Sequence, residues 1–328
     1  MEITGLSVFI AVFSLVLLAV PGFILAKLKM LPQSATEAFS TFVLYISQTL
    51  LVFMSFQKSY YSVEIGLNMV YCAVLTAVIY ILMAGLLLLV VRNKNHDAKK
   101  DCVRYASIFS NSGFMGIPFL QALYPTNQEV IIYAGAVLAV FNILNWTLGI
   151  FLITGDRKEI SIKKIVTNPV IIGLVLGFAL FIIVKKPMTE VAPVNSNLDQ
   201  FITKIFESLN SIANTVTPLS MAVIGMRLAH VELKQLFLDK WAYITAFLKL
   251  FVMSFLTILL VAWLPIPEQV KYVLFFLNSM PTAASATLFA VKFNRDSKSS
   301  SVFVLLSTIL SIVSLTVMFM LFKLIIGS

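Results

Sequence analysis

The sequence predicts an all-α integral membrane protein, and three observations support this fold class. The chain has 328 residues, of which 59% are hydrophobic and only 12% are charged, whereas soluble domains carry about 25% charged residues. The apolar residues form segments of about 20, the length that a helix needs to cross a bilayer. The connectors between these segments are short, so the sequence shows no separate soluble domain.

Ten apolar segments qualify as membrane spans. The first lacks the basic flank and the small-residue cleavage site of a secretory signal, so we predict that it is a retained span. The predicted spans lie near residues 6–27, 39–57, 67–91, 103–123, 130–153, 168–184, 201–226, 241–263, 270–291 and 301–326.

The basic residues predict the orientation of these spans. When connectors are assigned alternately to the two sides, 17 of the 24 lysines and arginines fall on one side, six fall on the other, and Lys249 lies within a span. Cytoplasmic connectors are enriched in Lys and Arg, so we predict a plasma (inner) membrane protein with both termini outside. No recognition motif for nucleic acid accompanies the net charge of +9.

A basic loop at residues 154–167 divides the chain into two halves of five spans, residues 1–153 and 168–328. Because five is odd, the second half must cross the membrane in the opposite sense, which predicts an inverted repeat. The fourth and ninth spans support this, because each has an asparagine ahead of a proline. These are Asn111 before Pro118 and Asn278 before Pro281. The two prolines lie 163 residues apart, about half the chain length.

The interrupted spans predict a binding site near the middle of the bilayer. Proline has no N–H and displaces the carbonyl one turn earlier, and unpaired backbone groups cannot face lipid. These groups must line protein or a cavity, where the free N–H groups of half-helix N-termini suit an anion. For the glycines alone, close helix packing is the competing interpretation. The candidate residues are Asn111, Ser112, Gly113, Gly116 and Pro118 in the fourth span, with Asn278 and Pro281 in the ninth.

Four more polar residues within spans are candidates for substrate contact. Gln48 and Thr49 lie in the second span and Asn142 in the fifth, where hydrogen bonding between helices is the alternative role. Lys249 in the eighth span either faces the interior, where it would attract an anion, or extends its side chain to the cytoplasmic interface. The only acidic residue within an apolar segment is Glu207, so coupling to H⁺ or Na⁺ and uniport both stay open.

Three segments resemble the prokaryotic auxin efflux carrier family, relatives of the plant PIN proteins that include bacterial malate and malonate permeases. They are SNSGFMGIPF at 110–119, TNPVIIG at 167–173 and TPLSMAVIGMRL at 217–228. The resemblance covers essentially the whole chain. It implies ten spans in two inverted repeats, whose fourth and ninth helices cross at their broken midpoints in a transport domain that moves against a scaffold domain.

The resemblance also implies where the crossover site lies in this chain. It falls on Asn111 to Pro118 and on Asn278 to Thr282, which adds Ser279 and Thr282 to the candidates. Relatives usually have a proline in the second span where this chain has Thr49. Substrate contacts are therefore transferred less directly to that span.

Together these observations predict a secondary carrier of a small organic anion, such as a mono- or dicarboxylate, that works in efflux or exchange by alternating access. An anion channel or a membrane receptor on the same frame is the alternative. An enzyme is not predicted, because no nucleophile motif, nucleotide loop or His–carboxylate cluster is visible. The predicted partners are the anion and membrane lipid, without nucleic acid, metal or cofactor; the oligomeric state, a homodimer included, stays open.

Overall fold

A computed structural model describes the chain over residues 3–93, 95–193, 196–229 and 238–327. Within these ranges the regular structure is helical, and the extended pairing is limited to one antiparallel bridge between Ser110 and Thr282. Among the described residues, eight helical segments are long and apolar enough to cross a membrane, and one of them, Asn197–Ala229, contains two successive helices. The prediction of an all-α membrane protein is confirmed at this level.

The helices are numbered here in chain order. They are α1 Gly5–Lys27, α2 Ser34–Gln57, α3 Val63–Val90, α4 Ala98–Ile108, α5 Ser112–Leu123, α6 Gln128–Thr154, α7 Pro169–Val184, α8 Asn197–Ala213, α9 Val216–Ala229, α10 Lys240–Val261, α11 Glu268–Ser279, α12 Ser285–Lys292 and α13 Ser297–Ile326. The predicted fourth span is divided into α4 and α5, and the predicted ninth into α11 and α12. Neither reaches the length of the eight long spans for this reason.

Four helices contain a turn of π-helix, in which the backbone hydrogen bond spans one residue more than in an α-helix. Such turns interrupt the regular side-chain spacing and are frequent at functional sites. Each lies at or beside a polar residue of a span. The turns are Val43–Ser47 in α2, Ser112–Gly116 in α5, Asn145–Gly149 in α6 and Leu248–Val252 in α10.

The interrupted helices form the centre of the molecule. In α4 every residue from Asp101 to Ile108 is buried, and in α11 every residue from Tyr272 to Ser279 is buried. A helix that is buried on all sides must lie inside the protein rather than against lipid. The long helices surround these short ones and carry the exposed apolar side chains that suit a membrane environment.

Helices α1 and α9 pack with their backbones in close contact. A Cβ atom built on Gly225 would lie 1.9 Å from the carbonyl oxygen of Ala19, and one built on Gly22 would lie 2.2 Å from that of Ala222. Both distances are far below a van der Waals contact, so only glycine fits at these two positions. Small residues allow this approach in membrane helices, where van der Waals packing stabilises the pair.

Helices α2 and α7 pack in a similar way. A Cβ atom on Gly173 would lie 2.8 Å from the carbonyl oxygen of Thr49, and one on Gly177 would lie 2.8 Å from the Phe56 ring. The side chain of Gln57 adds a hydrogen bond of 3.1 Å from Nε2 to the Gly177 carbonyl. Gly173 and Gly177 thus form the small-residue surface of this helix pair.

The α1–α9 contact predicts a specific loss of stability. We expect Gly225→Val to lower the midpoint of thermal unfolding in detergent, because the added side chain would collide with the α1 backbone and such overpacking costs about 1–3 kcal/mol. Gly85→Val is the matched control, since a Cβ atom on Gly85 in α3 meets nothing within 4 Å. Equal midpoints for the two variants would contradict the close contact.

Candidate functional site

The two helix breaks meet each other and pair their backbones. The N–H of Asn111 donates to the carbonyl of Pro281 at 2.7 Å, and the N–H of Ala283 donates to the carbonyl of Phe109 at 2.8 Å. The two short segments therefore run antiparallel, as a minimal two-stranded contact in the protein interior. This pairing satisfies backbone groups that have no helical partner and no access to water.

Serine hydroxyls complete the pairing at this contact of residues 109–111 with residues 281–283, which is called the crossing below. Ser110 Oγ donates to the Asn278 carbonyl at 2.8 Å, and Ser112 Oγ donates to the Leu277 carbonyl at 3.0 Å. Both carbonyls belong to the last turn of α11, whose C-terminal carbonyls have no partner within the helix. All four residues have between 0% and 1% of their surface exposed.

Thr282 and Gly116 make further contacts at the crossing. Thr282 Oγ1 donates to the Ala106 carbonyl in α4 at 2.9 Å, and the Thr282 N–H donates to Ser307 Oγ in α13 at 3.1 Å. A Cβ atom on Gly116 would lie 2.5 Å from a methyl group of Leu277. The absence of a side chain at Gly116 therefore lets the start of α5 lie directly against the end of α11.

The break in the fourth span lies earlier than Pro118 predicts. The sequence placed the freed backbone groups near residues 112–117, but the helix is interrupted at 109–111 and resumes as the π-helical turn Ser112–Gly116. Pro118 then lies in the first turn of the α-helical part of α5. A missing N–H and a fixed φ are tolerated at that position, so the proline does not break the helix.

Lys249 lies inside the protein, and its side chain does not extend to the interface. Its exposed fraction is 0%. The ammonium donates to the Ile108 carbonyl at 3.3 Å, to the Asn278 carbonyl at 2.9 Å and to Ser110 Oγ. Ile108 ends α4 and Asn278 lies next to the end of α11, so the ammonium lies where two helix C-termini converge.

A cavity of about 490 Å³ lies beside the crossing. Asn111 contributes to its wall and is 4% exposed, while three charged residues of the lining, Glu37, Lys292 and Lys298, are exposed. The cavity thus extends from the protein surface to the N-terminal end of α5. Asn111 precedes the first residue of α5 without a side-chain hydrogen bond to its N–H groups.

Arg227 is the residue in this cavity that sequence reasoning missed. Its Nη1 donates to the Ala284 carbonyl and its Nη2 to Ser40 Oγ, both at 3.3 Å, and its Nε is buried without a hydrogen-bond partner among the described residues. Arg227 counted as a basic connector residue in the sequence. The sequence signal that could have identified Arg227 is its position inside the segment TPLSMAVIGMRL. Because α9 continues to Ala229, Arg227 lies in the last turn of a span.

The other predicted residues fall into two groups. Gln48 lies at the crossing, because a Cβ atom on Gly113 would come within 2.9 Å of Gln48 Nε2, whereas Thr49 packs against Gly173 of α7 and Asn142 accepts a 3.0 Å hydrogen bond from Asn168. The buried atoms Gln48 Nε2, Asn278 Oδ1 and Ser279 Oγ have no hydrogen-bond partner in the part of the chain that the structure describes. Of the predicted residues, Asn111 alone appears among the described residues that line the cavity.

Glu207 lies away from the crossing. It is 59% exposed on α8, where it forms a 2.8 Å ion pair with Lys204. A different acidic residue is buried: Asp101, near the start of α4, accepts a 2.7 Å hydrogen bond from Asn93 and lies 3.8 Å from Arg295. Burial raises the pKa of Asp101. This pair connects the start of α4 to the segment that follows α12.

A many-helix membrane protein whose interrupted helices meet beside a cavity has the construction of a secondary transporter. A family described as "membrane transport protein" matches the sequence twice, at residues 7–165 and 158–319. The chain belongs to this family, the auxin efflux carrier or PIN-like family, and is a multi-pass membrane transporter. A search of curated proteins gave no significant match. Members of the family are transporters rather than enzymes.

The contact between Gly116 and Leu277 predicts coupled effects of substitution. We expect Gly116→Val to lower the thermal unfolding midpoint, because its side chain would overlap Leu277, and the double variant with Leu277→Ala to lose less than the two single losses combined. Contacting residues show such coupling, typically about 0.5–3 kcal/mol. Differential scanning fluorimetry of the four proteins measures it, and additive losses would show that the breaks do not touch there.

Proposed function

We propose that the protein is a secondary carrier of a small organic anion, such as a mono- or dicarboxylate, that works by alternating access. One observation carries the proposal: the guanidinium of Arg227 lies in the wall of a cavity with its Nε unpaired. The guanidinium fork matches a carboxylate, which accepts two parallel hydrogen bonds from it. Among the described residues the guanidinium uses two of its five N–H donors, which leaves donors for a bound carboxylate.

The surroundings of Arg227 favour a small anion. The volume of about 490 Å³ lies within the range of small-molecule sites, about 300–1,000 Å³. Among the charged lining residues, Arg227, Lys292 and Lys298 outnumber Glu37. Asn111 brings the N-terminal end of α5, the positive end of its dipole, to the same cavity. The field inside the cavity is therefore positive.

The arrangement of helix pairs supports two inverted repeats at 1–153 and 168–328. In such a repeat the first and second spans correspond to the sixth and seventh. The first span packs against the seventh, as α1 against α9, and the second packs against the sixth, as α2 against α7. Each pair is thus the counterpart of the other, and the family matches each half of the chain separately. This correspondence supports the finer architecture that we propose, ten spans with crossed fourth and ninth helices.

A carrier explains the closed inner end of the cavity better than a channel does. Asn111 is 4% exposed, and its neighbours Ser110 and Ser112 have no exposed surface. The hydrogen-bonded crossing thus separates the cavity from the opposite side. The exposed lining residues Glu37, Lys292 and Lys298 lie at helix ends next to connectors that the charge distribution assigns to the cytoplasm. We infer an inward-facing state that loads the anion for efflux or exchange.

Substitution of Arg227 tests the proposed function. We expect Arg227→Gln to reduce transport about 10- to 100-fold, because a hydrogen bond to a charged group is worth about 1.5–3 kcal/mol, and Asn111→Ala to reduce it as well. The measurement is current on a solid-supported membrane from proteoliposomes perfused singly with malate, malonate, lactate and indole acetate. Arg157→Gln is the control, because Arg157 is exposed on a connector.

Two outcomes would contradict this proposal. Wild-type currents from folded Arg227→Gln protein would remove Arg227 from the site. No saturable current for any anion, from wild-type protein shown to be folded, would reject the organic-anion carrier and leave a receptor on the same frame. Resolved unitary currents would instead identify a channel, because the turnover of a carrier is too slow for single events to be resolved.

Lys292 predicts a pH dependence of transport. Partial desolvation of the amine at the cavity wall and the neighbouring Lys164 lower the pKa of Lys292 to about 8, against a smaller opposing effect of Glu159. As pH rises from 7 to 9, Lys292 loses its proton and the cavity mouth loses a positive charge. We expect the KM for lactate, whose charge is constant in this range, to rise about two- to fivefold. The effect is small because an ion pair with a solvent-exposed charge contributes little free energy.

Two variants separate this effect from other titrations. Lys292→Arg keeps its charge, so its KM should stay nearly constant between pH 7 and 9. Lys292→Gln should show the higher KM throughout. A pH profile of Lys292→Arg that matches the wild type would assign the dependence to another group.

A further inference from the structure

The ammonium of Lys249 has the contacts of a bound monovalent cation. It lies within hydrogen-bond distance of two backbone carbonyls, Ile108 and Asn278, and of Ser110 Oγ. A lysine ammonium has three donors, and all three are used. Every partner is a neutral oxygen, and none of the ion pairs among the described residues includes Lys249.

The two carbonyls lie at the ends of helices that point toward each other. Ile108 is the last residue of α4, and Asn278 is the last but one of α11. The C-terminus of a helix carries the negative end of its dipole and carbonyls without a helical partner. Half-helix C-termini of this kind coordinate Na⁺ in transporters with broken helices. The crossing therefore offers a cation site that lysine fills.

Further oxygens belong to the same turn. Asn278 Oδ1 and Ser279 Oγ are buried and have no hydrogen-bond partner in the described chain. A lysine ammonium cannot use them, since its three protons are already donated. A metal cation has no such limit and takes several neutral oxygens at once. The end of α11 thus contains more hydrogen-bond acceptors than the three hydrogen bonds of the Lys249 ammonium use.

We propose that Lys249 is a tethered replacement for a coupling cation: its ammonium occupies a Na⁺-type site at the crossing, so transport by the wild-type protein is independent of Na⁺. Removing the side chain would open that site to Na⁺. Only the transport readout of this inference rests on the proposed function; the binding readout below is independent of it. The inference also accounts for the lack of a carboxylate beside the ammonium among the described residues, because the cation belongs to the protein itself.

Thermal unfolding of purified protein tests the proposal directly. We expect Lys249→Ala to unfold at a lower temperature than wild type in choline chloride, and NaCl at the same ionic strength to raise its midpoint by about 5 °C at 100 times the dissociation constant. The wild-type midpoint should not distinguish the two salts. Lys249→Met is the matched control, because its side chain fills the space without charge and should show no response to Na⁺.

Two further measurements keep the test decisive. Lys249→Ser, which adds a hydroxyl ligand, replaces the alanine variant if that protein is not recovered. The double variant with Ser110→Ala should lose most of the Na⁺ response, since it removes one ligand. Folded Lys249→Ala or Lys249→Ser protein whose midpoint does not respond to Na⁺ would overturn the proposal.

The wild-type carrier gives an independent check. Its anion current should be unchanged when NaCl is replaced by choline chloride on both sides of the membrane. A current that requires Na⁺ would also overturn the proposal. A complete lack of current would reject the proposed function, while the unfolding experiment would still decide whether Lys249 occupies a cation site.

Discussion

Backbone groups at the two helix breaks need hydrogen-bond partners where water is absent, and the rest of the structure depends on how they find them. The breaks satisfy each other through Asn111 with Pro281 and Phe109 with Ala283. This requires both interrupted helices to lie in the centre, surrounded by the long spans. It also requires small side chains where the segments touch, which explains Ser110, Ser112 and Gly116 of SNSGFMGIPF. The polar composition of this span is thus a consequence of its burial.

Two basic residues lie near the crossing, the buried Lys249 and the half-buried Arg227, and their hydrogen bonding differs. Lys249 has all three of its donors paired with fixed oxygens of the protein. Arg227 has two long contacts and an unpaired Nε at the wall of a cavity. A saturated cation stabilises the protein's own backbone, whereas an unsaturated one can accept a ligand. This difference indicates that Lys249 stabilises the backbone at the crossing and that Arg227 is available for a ligand. Both residues belong to the excess of basic residues in the sequence.

Hydropathy was sufficient to predict the eight long helical segments of the described chain, because each contains a continuous apolar segment of spanning length. The paired breakers and amides also pointed to the contact between α5 and α11, since few other arrangements satisfy buried backbone. The position of the first break was predicted less well, because a π-helical turn accommodates Pro118. Arg227 was missed because its role depends on how far α9 extends. Thr49 and Asn142 were indistinguishable in sequence from Gln48, since only tertiary packing decides which neighbour a polar residue contacts.

The position of Lys249 has an electrical consequence. In the inverted repeat proposed above, the inward and outward states are related by a two-fold axis in the membrane plane, and they would have equal free energies if the two halves were identical. The residue 163 positions before Lys249 is Leu86, so the second half carries a charge that the first half does not. If this charge shifts within the field as the states exchange, the membrane potential acts on it with up to about 2.3 kcal/mol per 100 mV. The resting distribution between the two states would then depend on voltage, even when no substrate is bound.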